Sequence, residues 1–193
     1  MKNNYKSHFN LPSFSQLMQE RNNSIKSLVN KLKFKDVEDD EVFKKTKKSV
    51  KDSILFNPII IEEPEFKDFE YEEIPLKIEQ QYFGEQSKDH YYHEINYKIA
   101  GDKELLFYTP ENFSYSTSDH GILEPNGNSI KVIVDLPEIN PEKAKIEANK
   151  LFKLTKKIAE QNSETAISWN LGMSRKIEKD LENKREELNR IFG

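Results

Sequence analysis

Residues 130–159 read IKVIVDLPEINPEKAKIEANKLFKLTKKIA, and within this stretch the hydrophobic period changes from two to between three and four. Ile130, Val132, Val134 and Leu136 fall at every second position, which places them on one face of a strand. Asn140-Pro141 then signals a helix start. An asparagine can cap the first amides, and a proline at the first helical position gives up an N–H that has no intrahelical partner. Ala144, Ala148, Leu151, Phe152, Thr155, Ile158 and Ala159 follow as the buried stripe. Thr155 is its one polar member, and its hydroxyl is expected to bond back to a carbonyl of the preceding turn. A strand that hands directly to a long amphipathic helix makes this an α+β chain.

Downstream, Asn162 and Ser163 read as a break and a fresh cap. Ala166, Asn170, Met173, Ile177, Leu181, Lys184, Leu188 and Ile191 then recur at threes and fours with charges on the flanks, a heptad-like seam. The simplest arrangement is a helical hairpin closing on itself, with pairing between chains as its competitor.

Upstream, Tyr91, His93, Ile95, Tyr97 and Ile99 alternate as a half-buried strand. Gly101-Asp102 is a turn signal, and 104–108 reads as the return strand of a hairpin. Residues 109–128 carry two prolines and two glycines among many Ser, Asn and Asp, and read as a long loop. Ile59, Ile60 and Ile61 form a β-branched run after the helix-breaking Asn57-Pro58, followed by Phe66, Phe69 and Tyr71 among acids. Before that lie two helices. Phe14, Leu17, Met18, Ile25, Leu28, Val29 and Leu32 share one face, with Ser13 as cap; Val42, Phe43, Val50 and Ile54 form a weaker stripe after Asp39-Asp40. The lysines at 44–51 read as a solvated face.

The expected architecture is therefore two amino-terminal helices (1–55), a small, mainly antiparallel sheet of four or five strands (56–139) and a carboxy-terminal helical hairpin (140–193). Charged residues make up 33% of the 193 positions against 35% hydrophobic, so long solvated helices around a modest core are expected. The 30 basic and 34 acidic residues are interspersed, which gives no field favouring nucleic acid or an anionic membrane. With no cysteine there is neither a disulfide framework nor a thiol nucleophile, as suits a cytoplasmic protein. No apolar run approaches a membrane span, and the amino terminus lacks the apolar core of a signal peptide.

Several groups invite chemistry. His90, His93 and Glu94, with Asp119-His120, hold zinc-ligand types, but strand alternation sends side chains three apart to opposite faces, and His93 shares a face with Ile95 and Tyr97. The carboxylates Glu62-Glu63, Glu70 and Glu72-Glu73 lie along an extended stretch where solvation and edge protection account for them. Ser114, Ser116 and Ser118 with Asp119 and His120 are triad types crowded into one loop, without a nucleophile elbow. No phosphate-cradling glycine motif occurs. Tyr91-Tyr92 and Phe107-Tyr108 are better explained by core packing than by base stacking, because few basic residues interleave with them. The reading is a segment with no catalytic, cofactor-binding or metal-binding residues.

The end of the chain carries Ser168-Trp169-Asn170-Leu171, then Met173, Ile177 and Arg185-Glu186-Glu187-Leu188, after the strand at 130–136 and the hairpin at 94–110. This order resembles an uncharacterised β-rich and helical region that precedes effector domains, restriction-type nucleases or TIR domains, in bacterial defence proteins. The resemblance covers roughly 56–193 and leaves the first two helices outside it. It implies a regulatory or assembly module whose effector lies beyond Gly193 or on another chain. Contacts with a protein partner or a second copy are expected through Met173, Ile177, Leu181, Leu188 and Ile191 on one side and Phe14, Leu17 and Leu28 on the other. Two alternatives are a small phage- or plasmid-encoded inhibitor using the acidic stretch 62–73, and a small metal-dependent hydrolase or nuclease using those acids with His90, His93 or His120.

Overall fold

The computed structural model describes residues 3–6, 11–62, 91–114 and 121–192. In chain order the elements are β1 (Tyr5–Lys6), α1 (Phe14–Asn30), α2 (Asp40–Ile54), β2 (Ile60–Ile61), β3 (Tyr91–Ala100), β4 (Ile122–Leu123), β5 (Ser129–Leu136) and α3 (Pro141–Phe192), with 3-10 turns at Phe34–Asp36 and Lys103–Phe107. The α+β class stands, built from three helices and small antiparallel sheets.

Both long strands keep the expected alternation, and they pair with each other, where the sequence reading pairs the first of them with 104–108. His93 lies opposite Val134, Ile95 opposite Val132 and Tyr97 opposite Ile130, and all six are buried. Adding β2 gives the order β2-β3-β5, while β1 and β4 form a separate two-stranded pair. Among the described residues the main sheet thus has three strands, fewer than the four or five expected. One reason lies at 103–107, where a 3-10 turn replaces the expected return strand. A strand would send adjacent Leu105 and Leu106 to opposite faces, yet both are fully buried. The chain reaches this turn through Gly101, whose φ is +94°. A side-chain carbon there would stand 2.1 Å from the Pro58 carbonyl oxygen, so the position demands glycine. Phe66, Phe69 and Tyr71 of the expected sheet region lie outside the described residues, whereas Ile122 and Leu123, inside the stretch read as loop, are buried and pair with Tyr5 and Lys6 in a sheet of their own.

Both helix-start signals act as caps. Asp39 accepts hydrogen bonds from the amides of Glu41 and Val42, at 2.8 and 3.2 Å, and Asn140 Oδ1 accepts from Lys143 N at 3.0 Å. Ser13 is the N-cap of α1, but its hydroxyl meets Ser15 Oγ at 2.9 Å, and Gln16 Oε1 accepts its backbone N–H instead.

The largest departure is α3. The expected hairpin is one unbroken helix of 52 residues, roughly 78 Å long at 1.5 Å per residue. Asn162 and Ser163 do not break it, because both are buried and the Asn162 amide nitrogen and Ser163 hydroxyl bond to distant backbone. Asn162 Nδ2 donates to the carbonyls of Leu105 and Tyr108 at 2.6 and 2.8 Å, and Ser163 Oγ accepts from Ile59 N at 2.9 Å. Thr155 Oγ1 likewise accepts from Leu123 N at 3.0 Å, a long-range bond where a bond to its own helix was expected. Asn170 receives Phe56 N at 3.0 Å and donates to Phe56 O at 2.8 Å. Irregular segments that lack a ladder of their own are thus satisfied by side chains of α3.

Two hydrophobic clusters result. The first holds the sheet, the start of α1 and the first half of α3. Ala144 and Ala148 let α3 lie close to the sheet, and Phe152 stacks on Tyr97 with ring centroids 3.9 Å apart. The second cluster joins Ile25, Val29, Val37, Phe43, Val50 and Ile54 to Ile177, Leu181 and Leu188. Trp169 packs on both.

Candidate functional site

The side chains expected to make contacts outside the chain fall in three places. Phe14 and Leu17 are buried in the sheet cluster. Ile177, Leu181 and Leu188 are buried in the second cluster, with Leu28 and Met173 packed half-buried against it. Ile191 stands apart, 61% exposed near the end of α3. The seam is real as a hydrophobic stripe, but α1 and α2 of the same chain fill it rather than a second arm of a hairpin. Lys47–Glu182 and Lys51–Glu178 ion pairs flank that packing, while Lys44, Lys45 and Lys48 stay exposed. Arg21 clasps the junction of the clusters: its guanidinium lies 3.9 Å from the Phe56 ring centroid and donates to the carbonyls of Ile54 and Leu55, each at 3.1 Å.

The histidine and carboxylates behave as strand alternation dictates. His93 is 2% exposed, in register with Val134, whereas the next residue, Glu94, is bound by Lys131 at 2.6 Å and by Asn96 at 3.0 Å. Partial burial acts to raise the Glu94 carboxyl, but the bonds from Lys131 and Asn96 and the Lys131 charge outweigh it and hold it below the usual range. Glu178 is also held low, by the hydrogen bond and charge of Lys51. Tyr108 is raised by burial and by the charges of Glu104 and Glu20. Glu63, Glu70, Glu72, Glu73, His90, Ser116, Ser118, Asp119 and His120 lie outside the described residues. Among the described residues, no three His, Asp or Glu side chains are grouped to hold a cation, and no helix is long and apolar enough to cross a membrane.

Among the described residues, a groove of about 490 Å3 runs between β2, β3 and the first half of α3. Ile61, Glu62 and Tyr97 form its sheet side; Asn149, Phe152 and Glu160 line the helix side with Lys145, Lys153, Lys156 and Lys157. Its floor is apolar, from Ile61 and the stacked Tyr97–Phe152 pair, and the Tyr97 hydroxyl donates to Asn149 Oδ1 at 2.8 Å. Lys157 donates to Ser114 O at 3.1 Å, whereas Lys153 and Lys156 make no ion pair with a described residue.

The groove as a whole is not displayed by the local sequence pattern. The signal was present as Lys145, Asn149, Lys153 and Lys156 at spacings of four, four and three, a row beside the buried Ala144–Ala148–Phe152 stripe. What the sequence does not display is that a short strand edge faces that row.

No protein-family model, curated protein or solved structure matches the chain.

Proposed function

We propose that the chain is a non-catalytic assembly or adaptor module that works through protein contacts, as the regulatory segment of a bacterial defence protein whose effector is carried on the same or another chain. The observation behind the contact role is α3. Its inward stripe is used along its length to hold two clusters of its own chain, which makes it a stiff strut, while Ile167 and Leu171 stand one turn apart on its outer side, 50% and 67% exposed. A rigid element presenting apolar residues to solvent costs little ordering entropy when a partner docks. The placement in a defence system rests on the sequence resemblance at 56–193.

Site-specific photocrosslinking in cells tests the contact role. A photoreactive phenylalanine analogue at Leu171 is expected to give discrete higher-mass adducts, and the same analogue at Asn23, exposed on α1, is expected to give none. Absence of adducts at both positions would overturn the reading.

A further inference from the structure

We infer that the lysine-rimmed groove receives an extended acidic peptide of a partner protein, added as a strand along the outer edge of β2. This rests on the reading of the chain as a protein-contact module and names the surface and the partner chemistry.

The backbone supplies the first argument. Glu62 donates to Lys98 O at 3.0 Å, and Ile60 lies opposite Ala100, so these residues direct their backbone groups toward β3. Ile99 donates instead to Asn128 O at 2.8 Å, on the β5 side. In an antiparallel ladder the direction alternates with each residue. The N–H and C=O of Ile61, opposite Ile99, therefore point out of the sheet at its edge. An edge with outward donors and acceptors is a template for a further strand.

Charge supplies the second. The chain carries a net charge of −4, yet among the described residues the lining of this groove holds Lys145, Lys153, Lys156 and Lys157 beside Glu62 and Glu160. From Lys145 to Lys157 the helix rises roughly 18 Å over twelve residues, a length matched by about five or six extended residues. The third argument is the floor. Ile61 pairs with Ile99 on the sheet face where Tyr97 stacks on Phe152 of α3, so the alternate side chains of an added strand that turn to α3 meet both the apolar floor and the lysines, while the other set turns to solvent. The sequence that fits mixes glutamate and aliphatic residues within the set turned to α3.

The test uses the full chain and a fluorescein-labelled synthetic hexapeptide of two glutamates, two leucines and two glutamates in that order, which puts both residue types in each alternate set, followed by fluorescence anisotropy, with amide exchange at Ile61 as a second readout. Binding that weakens as salt rises is expected, with Ile61 N–H gaining protection when peptide is present. Lys153→Glu with Lys156→Glu should weaken binding by about tenfold or more, whereas Lys44→Glu with Lys48→Glu on exposed α2 should leave it within about twofold. Both pairs of lysines are exposed, and unchanged circular dichroism and melting would show that the variants fold. Three results overturn the inference. The first is equal loss in both double variants. The second is displacement by inorganic polyphosphate without any change at Ile61, which would mean the groove reads charge alone. The third is binding that appears only after Glu63, Glu65, Glu70, Glu72 and Glu73 are changed to glutamine, which would make the chain's own acidic stretch the occupant. Adducts at Leu171 alongside a failed peptide test would reject this groove and leave the contact role standing.

Discussion

Glu94 shows how far a single residue can be followed from its chemistry. Its carboxyl is held below the ordinary value of 4.5, so the unfolded chain takes up this proton at a higher pH than the folded one does. Stability from the Lys131 and Asn96 bonds is therefore fully present above the ordinary glutamate range and is lost as pH falls through the lower folded value. Glu178, held low by Lys51, acts with the same sign. Melting temperature is expected to drop on the acid side, and Glu94→Gln should flatten that limb by lowering the melting temperature slightly at neutral pH while changing little at the acid end. An acid limb identical in wild type and variant would show that the bond contributes nothing. At this scale the Asn140 cap was legible in the sequence because it acts on an amide three residues away. Asp39, legible as an acid opening α2, is the cap of that helix, whereas the Ser13 hydroxyl, expected to cap α1, meets Ser15 instead. The roles of Thr155, Asn162, Ser163 and Asn170 were not legible. Their partners lie between 32 and 114 residues away, and a local reading assigns such side chains to local bonds.

Among elements, β3, β5 and the three helix faces were readable because burial imposes a period on each. The strand at 104–108 and the break at 162–163 were misread where local turn chemistry yielded to tertiary contacts: two adjacent leucines both sought the core, and an asparagine and a serine found buried partners. Gly172 is the weak spot left in α3. It is helical and exposed, and a side-chain carbon there would meet nothing within 4 Å. Gly172→Ala should stabilise the protein by roughly 0.5–1 kcal/mol, read from urea midpoints at constant slope. A loss of stability would indicate that the glycine permits a bend that the folded state uses.

For the molecule as a whole, the α+β class was legible, with helices at both ends and antiparallel strands between them, whereas the division into two clusters strung on one helix was not, since it depends on α3 running unbroken between them. That arrangement makes cooperative unfolding the expected behaviour. Leu181, fully buried far from the sheet, should cost about 2–5 kcal/mol when changed to alanine. Fluorescence of Trp169, which touches both clusters, should melt together with far-ultraviolet circular dichroism in wild type and in Leu181→Ala. Two separated transitions in the variant would show that the clusters are independent units. The groove was hidden for a related reason: its two sides lie more than eighty positions apart in the chain, with β2 at Ile60–Ile61 and the lysine row beginning at Lys145.

The place of α3 in the order of synthesis has its own consequence. Among the described residues, side chains between 155 and 170 take the backbone groups of Phe56 and the N–H groups of Ile59 and Leu123, and the cluster around Val29 and Phe43 is completed by Ile177, Leu181 and Leu188. Until those residues emerge from the ribosome, these groups lack those partners. Neither half can lock early and wait for the other. The native state must form late, in a step that depends on the final helix, and a nascent chain stalled before residue 155 would present the apolar face of its sheet to the chaperones of the cell.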